Sequence, residues 1–215
     1  MIKAIIFDMN GVIIDDEPLH ERAFREVLEP MGIKLDHRLY QKHILGRSDL
    51  AGFQYLMEGR RLPLTLDELY KQKMKLYWQF VKNGIPLVPD SLETIKRLSA
   101  SYRLALTTGA TRPEMDEVFK QFGLAHYFTV TVTTEEFAKS KPDPEPYLLT
   151  LKKLGLPAAE CVVIEDAVAG VKSAKAAGLR CIAIANSLAP HALILADHVV
   201  SSHNEITAEL IQSLS

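Results

Sequence analysis

Lys3-Ala4-Ile5-Ile6-Phe7-Asp8-Met9-Asn10-Gly11-Val12 decides how the rest of the chain is read. Ile5, Ile6 and Phe7 form an apolar run that ends abruptly in a carboxylate. A run of this kind predicts a strand buried on both faces, as in a parallel sheet. Asp8 then falls at the strand's carboxyl end, where open α/β sheets place their ligands. Gly11 permits a sharp turn that presents backbone N–H groups to an anion. Taken alone, Asp8 reads equally well as a residue that caps the strand or starts a turn.

Working outward, Asp15-Asp16-Glu17-Pro18 breaks the run, and a helical pattern follows with Ala23, Phe24, Val27, Leu28 and Met31 on one face and Gly32 at its end. From there to about Pro86 there is no parallel-strand signal. Leu66, Leu69, Tyr70, Met74, Tyr77, Trp78 and Val81 recur at helical spacing, as core residues do. The stretch 16–85 therefore reads as an all-helical insert placed after the first strand. Its candidate substrate contacts are His20, Gly46, Arg47 and Ser48. Arg47 and Ser48 can hydrogen-bond an anion or a sugar, while Ser48 reads equally well as a helix N-cap, and His20, opening the first helix, is more often a solvated or capping residue than a ligand.

Past Pro86 helix and strand alternate. Arg103-Leu104-Ala105-Leu106 closes in Thr107-Thr108-Gly109, Tyr127 to Val132 is the next strand, and Cys161-Val162-Val163-Ile164 ends in Glu165-Asp166. Cys181 to Ala185 and His198 to Val200 follow. This alternation predicts a doubly wound parallel α/β sheet formed by residues 1–15 and 86–215. In such a sheet Asp8, Thr107/Thr108 and Glu165/Asp166 share one edge. Carboxylates gathered there repel one another, and a divalent cation with hard oxygen ligands, Mg²⁺, relieves that repulsion. Lys141 and the Thr108 hydroxyl supply the cation and the donor that a phosphoryl group needs.

The 215 residues are enough for one sizeable core and a smaller lobe. A net charge of −2 offers no footprint for nucleic acid or an anionic membrane, and neither partner is expected. Cys161 and Cys181 sit in apolar runs and read as buried thiols. No apolar run is long enough to span a bilayer, and the first is cut off by Asp8, so a soluble, cytoplasmic, monomeric protein is expected.

These residues carry a family resemblance over essentially the whole chain. Asp8-Met9-Asn10-Gly11-Val12, Leu106-Thr107-Thr108-Gly109, Lys141-Pro142-Asp143-Pro144 and Val163 to Gly170 match, in order, the four motifs of the haloacid dehalogenase superfamily. The branch with a helical cap after the first strand, typified by β-phosphoglucomutase and sugar-phosphate phosphatases, is the most similar. The resemblance implies a phosphatase acting on a small phosphorylated metabolite. Asp8 would form an aspartyl phosphate. Mg²⁺ would be held by Asp8, the backbone carbonyl of Asn10 and Asp166, with Glu165 helping through water. Thr108, the Gly109 N–H and Lys141 would hold the phosphoryl oxygens.

Asn10 departs from the pattern. The family's phosphatases and mutases carry an aspartate there that protonates the leaving oxygen and then deprotonates water. An amide has no such proton, and losing a general acid–base costs about 10²–10⁴-fold. Two alternatives to the phosphatase therefore stand: β-phosphoglucomutase-like phosphoryl transfer, and a non-catalytic protein that binds phosphorylated metabolites. Asp49 stands where the mutase has an arginine, and Asp16 where it has a small hydroxyl residue, and both favour the phosphatase.

Overall fold

The structure, a computed structural model, describes residues 1–45, 48–60, 62–82, 84–186 and 188–214. The chain divides into two compact units, one of Met1–Ile14 with Leu87–Ser215 and one of Asp15–Pro86.

The first unit, the core unit, opens with β1 (Ala4–Phe7), whose four residues are all buried. The second unit contains α1 (Glu17–Leu28), α2 (His37–His43), α3 (Asp49–Met57) and α4 (Leu66–Val81). The core unit resumes with α5 (Ser91–Ser99), β2 (Arg103–Thr107), α6 (Arg112–Phe122), β3 (Phe128–Val132) and α7 (Glu145–Leu154). It ends with β4 (Cys161–Glu165), α8 (Val168–Ala176), β5 (Arg180–Ile184), β6 (His198–Val200) and α9 (Ala208–Ser213).

The six strands form one sheet in the order β3-β2-β1-β4-β5-β6, with every neighbouring pair parallel. This is a doubly wound α/β sheet whose winding reverses between β1 and β4, the crevice where such sheets bind ligands. The first strand is central because its apolar run has no polar face to expose. Ala4 to Phe7 pair with Arg103 to Leu106 on one side and with Cys161 to Ile164 on the other. The ladder continues one residue further, as the Asp8 N–H donates to the Ile164 carbonyl at 3.0 Å. Ile6, Ala105, Val163, Tyr147, Leu151 and Val171 belong to one core beneath it. Both cysteines are buried and unpaired with each other.

The helical unit buries its own core of Phe24, Leu28, Tyr40, Phe53, Leu56 and Leu69. Pro18 falls in the first turn of α1, so the segment that reads as a break is the helix start, where a missing N–H costs nothing. His20 accordingly lies inside the helix and not at its opening. Thr65 and Glu68 form a reciprocal capping box at the start of α4. Among the described residues, no helix is long and apolar enough to cross a membrane.

Candidate active site

Three strand ends converge in the core unit. Ligand oxygens of Asp8, Glu165 and Asp166 all lie within 4.8 Å of one another. Lys141, just before α7, reaches into this group. Its Nζ donates to Asp8 Oδ1 at 2.8 Å, to Glu165 Oε1 at 2.6 Å and to the Thr107 carbonyl at 3.3 Å. Three acceptors match the three protons of an ammonium.

Burial raises the Asp8 carboxyl to about 7, and the nearby Glu165 charge adds to the rise while Lys141 opposes it. Burial acts in the other direction on Lys141, but the charges of Asp8 and Glu165 outweigh it and hold the ammonium above the usual lysine range. Glu165 is the most enclosed of the carboxylates. Its Oε1 also accepts from the Tyr147 hydroxyl at 2.7 Å, and its Oε2 accepts from the N–H groups of Asp166 at 3.1 Å and Ala167 at 3.4 Å.

Two glycines make room for these side chains. Gly11 has φ +74°, and a Cβ built on it would stand 1.9 Å from Asp166 Oδ2. A Cβ on Gly170, in α8, would stand 1.9 Å from Glu165 Oε1. Thr108 extends the β2 edge, its N–H donating to the Val132 carbonyl at 3.0 Å. Its Oγ1 accepts from the Ala110 N–H at 3.0 Å and donates to Asn10 Oδ1 at 3.4 Å. Gly109 is exposed beside it, with open space where a side chain would be. The structure thus brings Asp8, Asn10, Thr108, Lys141, Glu165 and Asp166 together.

The loop after Asp8 is held by residues that sequence reasoning did not single out. Gly11, Val12 and Ile13 each have a carbonyl that accepts from a side chain: Asn186 Nδ2 at 3.4 Å, His203 Nε2 at 2.7 Å and Ser91 Oγ at 2.9 Å. The carbonyl fixes the His203 tautomer, since Nε2 must carry the proton. Nδ1 is buried with no hydrogen-bond partner among the described residues, and burial lowers the imidazole pKa below its usual value. Tyr147 was missed as well, because its spacing matches an apolar helix face.

In the helical unit, Lys73 is fully buried, and its Nζ donates to Asp49 Oδ2 at 2.7 Å and to His20 Nδ1. Asp16 Oδ2 accepts from the Tyr77 hydroxyl at 2.7 Å and contacts His20 Nε2 at 3.1 Å. Ser48 caps α3, its side chain accepting from the Ala51 N–H at 3.3 Å. Gly46 and Arg47 lie outside the described residues.

A parallel sheet with a carboxylate after its first strand, and a lysine and two acids gathered on it, defines a class of hydrolase. Residues 5–184 match the family of haloacid dehalogenase-like hydrolases. The chain belongs to that family, as a phosphohydrolase. It is 35% identical over 182 residues to the phosphorylated carbohydrates phosphatase of Thermotoga maritima, covering 83% of this chain and 82% of that one. To hexitol phosphatase B of Escherichia coli it is 31% identical over 216 residues, covering 97% and 96%. Among solved structures, an aspartate-to-asparagine mutant of CbbY from Rhodobacter sphaeroides, in complex with xylulose 1,5-bisphosphate, superposes with a TM-score of 0.86 at 28% identity, covering 96% of both chains.

Proposed function

We propose that the chain is a Mg²⁺-dependent phosphomonoesterase of phosphorylated carbohydrates that works through an aspartyl phosphate on Asp8. The observation that carries the reading is the single cluster of Asp8, Asp166, Glu165 and Lys141 at the carboxyl ends of β1 and β4. The related proteins named for phosphorylated-carbohydrate and hexitol phosphatases support the substrate class.

The donor set suits Mg²⁺: hard carboxylate oxygens lie within one ion's reach, and a glycine beside Asp166 keeps the approach clear. Asp8, Asp166 and the Asn10 carbonyl would hold the ion, with Glu165 behind them. The ion supplies charge neutralisation for the transferring phosphoryl group. Asp8 supplies the attacking oxygen, and the Asp8 O–P bond forms as the ester P–O bond breaks. Lys141 and the Thr108 hydroxyl neutralise and orient the phosphoryl oxygens. Glu165, tied to Lys141 and Tyr147, holds the ammonium in place. Water then attacks phosphorus as the Asp8 O–P bond breaks, its proton passing to a phosphate oxygen or to solvent, and the Asp8 carboxylate is freed.

The pairing of Asp49 with Lys73 supports a phosphatase over a mutase, because a carboxylate already bound to a lysine offers no cation to a second phosphate. The test is turnover of a sugar-phosphate panel by this chain and by Asn10→Asp. The variant is expected to gain about 10²–10⁴-fold, and Asp8→Asn in its background to lose all of it. Asn10→Asp protein with neither turnover nor Mg²⁺ binding would end the reading.

A further inference from the structure

Asn10 accepts from Thr108 through Oδ1, and its amide N–H is far too weak an acid to protonate a leaving oxygen. The other protic groups beside Asp8 in the core unit have commitments of their own. The three donors of Lys141 are directed to Asp8, Glu165 and the Thr107 carbonyl. The Tyr147 hydroxyl is bonded to Glu165, and Glu165 Oε2 accepts two backbone N–H groups. The groups for attack on phosphorus are thus assembled, while among the described residues of the core unit no uncommitted acid stands beside Asp8 to protonate the departing oxygen.

We propose that the chain takes phosphoryl groups onto Asp8 from donors whose leaving oxygen departs as a stable anion, acyl phosphates above all, and holds the resulting aspartyl phosphate. The inference rests on the reading of Asp8 as the nucleophile. In the first step an Asp8 carboxylate oxygen bonds to phosphorus as the P–O bond to the acyl oxygen breaks. That oxygen keeps the electron pair and leaves as a carboxylate, a weak base that needs no proton. An alkyl phosphate would have to expel an alkoxide, a far stronger base, and the barrier rises by the share a general acid normally removes. Among sugar phosphates, those on the anomeric oxygen are therefore favoured over those on a primary hydroxyl, because the anomeric oxygen is the less basic. In the second step water must lose a proton as it attacks the aspartyl phosphate. Asn10 cannot take it, so the phosphorylated form outlasts the first step.

The test is intact-protein mass spectrometry of the full chain with Mg²⁺ and either acetyl phosphate or glycerol 3-phosphate. Acetyl phosphate is expected to add one phosphoryl group, mapped to Asp8 and absent in Asp8→Asn, and glycerol 3-phosphate to add none. Asn10→Asp is expected not to accumulate the adduct and to hydrolyse glycerol 3-phosphate about 10²–10⁴-fold faster than the unaltered chain. Equal loading by both donors would overturn the proposal. So would absence of loading by acetyl phosphate where Asn10→Asp hydrolyses alkyl phosphates, an outcome that leaves Asp8 as nucleophile intact. If Asn10→Asp neither loads nor turns over, the nucleophile itself is misassigned and the proposal falls with it.

Discussion

Gly11 and Gly170 show how closely single positions are specified. In a helix such as α8, replacing glycine by alanine ordinarily gains up to about 1 kcal/mol. Gly170→Ala should reverse that sign, because the new methyl would stand 1.9 Å from Glu165 Oε1 and push the carboxylate off Lys141. Gly11→Ala meets Asp166 at the same distance and also requires a positive φ, itself a cost on the order of 1–3 kcal/mol. Urea unfolding with and without Mg²⁺ checks both, and unchanged stability in either would mean that the carboxylates have room to move. A second expectation concerns Asp8, raised from 3.8 to about 7. Between those values the folded protein binds more protons than the unfolded chain, so this group's contribution to stability declines as pH rises through the window. Ion binding has to displace the same proton. Mg²⁺ affinity should therefore increase with pH up to about 7 and level off above it. Calorimetry at pH ~6 in buffers of different ionisation heat would read the released proton, and heats independent of the buffer would contradict the assignment.

At the scale of the element, the loop between β1 and the helical unit is a braced structure. Its three carbonyls are met by side chains from α5, from the segment after β5 and from the 3₁₀ turn before α9. His203 contributes the short bond of 2.7 Å, and because burial keeps it neutral the unfolded chain takes up a proton first as pH falls below about 6.5. Stability from this residue is full above that value and is lost as the pH drops toward the lowered folded value. His203→Gln, whose amide nitrogen can occupy the Nε2 position, should keep Mg²⁺ affinity and flatten this acid loss. His203→Leu should lower Mg²⁺ affinity by removing the donor to the Val12 carbonyl, leaving it short by about 1–3 kcal/mol. Equal affinity in both variants would show that the brace has no hold on Mg²⁺ binding. Sequence reading reached the strand ends here and not the brace. Asp8, Thr108, Lys141 and Asp166 stand out because a polar residue interrupts an apolar run or sits in a motif. His203 and Ser91 lie in ordinary polar stretches, and the His203 contact spans 191 residues. Tyr147 was hidden for a different reason: an aromatic on a helix face looks like core, and its hydroxyl finds a partner only when β4 is alongside. Ser48 carried two readings, and its bond to Ala51 supplies the local one.

For the whole molecule, the sheet order explains why one strand dominates the reading. β1 has neighbours on both sides, and the acids of β4 and the threonines of β2 flank its end in register. This arrangement was legible because buried parallel strands must be apolar throughout, so each polar ending marks the same edge. It also concentrates like charge. Asp166→Asn should relieve part of the repulsion and raise the melting temperature of the metal-free protein. The same change should abolish the Mg²⁺-dependent increment, which for the unaltered chain is about 2.7 kcal/mol at a hundredfold excess over Kd. A thermal melt series with and without Mg²⁺ decides it, and a variant that keeps the increment would remove Asp166 from the ligands. Finally, the bond from His203 to Val12 joins two segments 191 residues apart. During synthesis Asp8 emerges long before the residue that braces the loop after it. The loop is therefore braced only once residue 203 has been made, and a chain cut short before it would carry all four matched motifs while lacking the clasp that shapes the first.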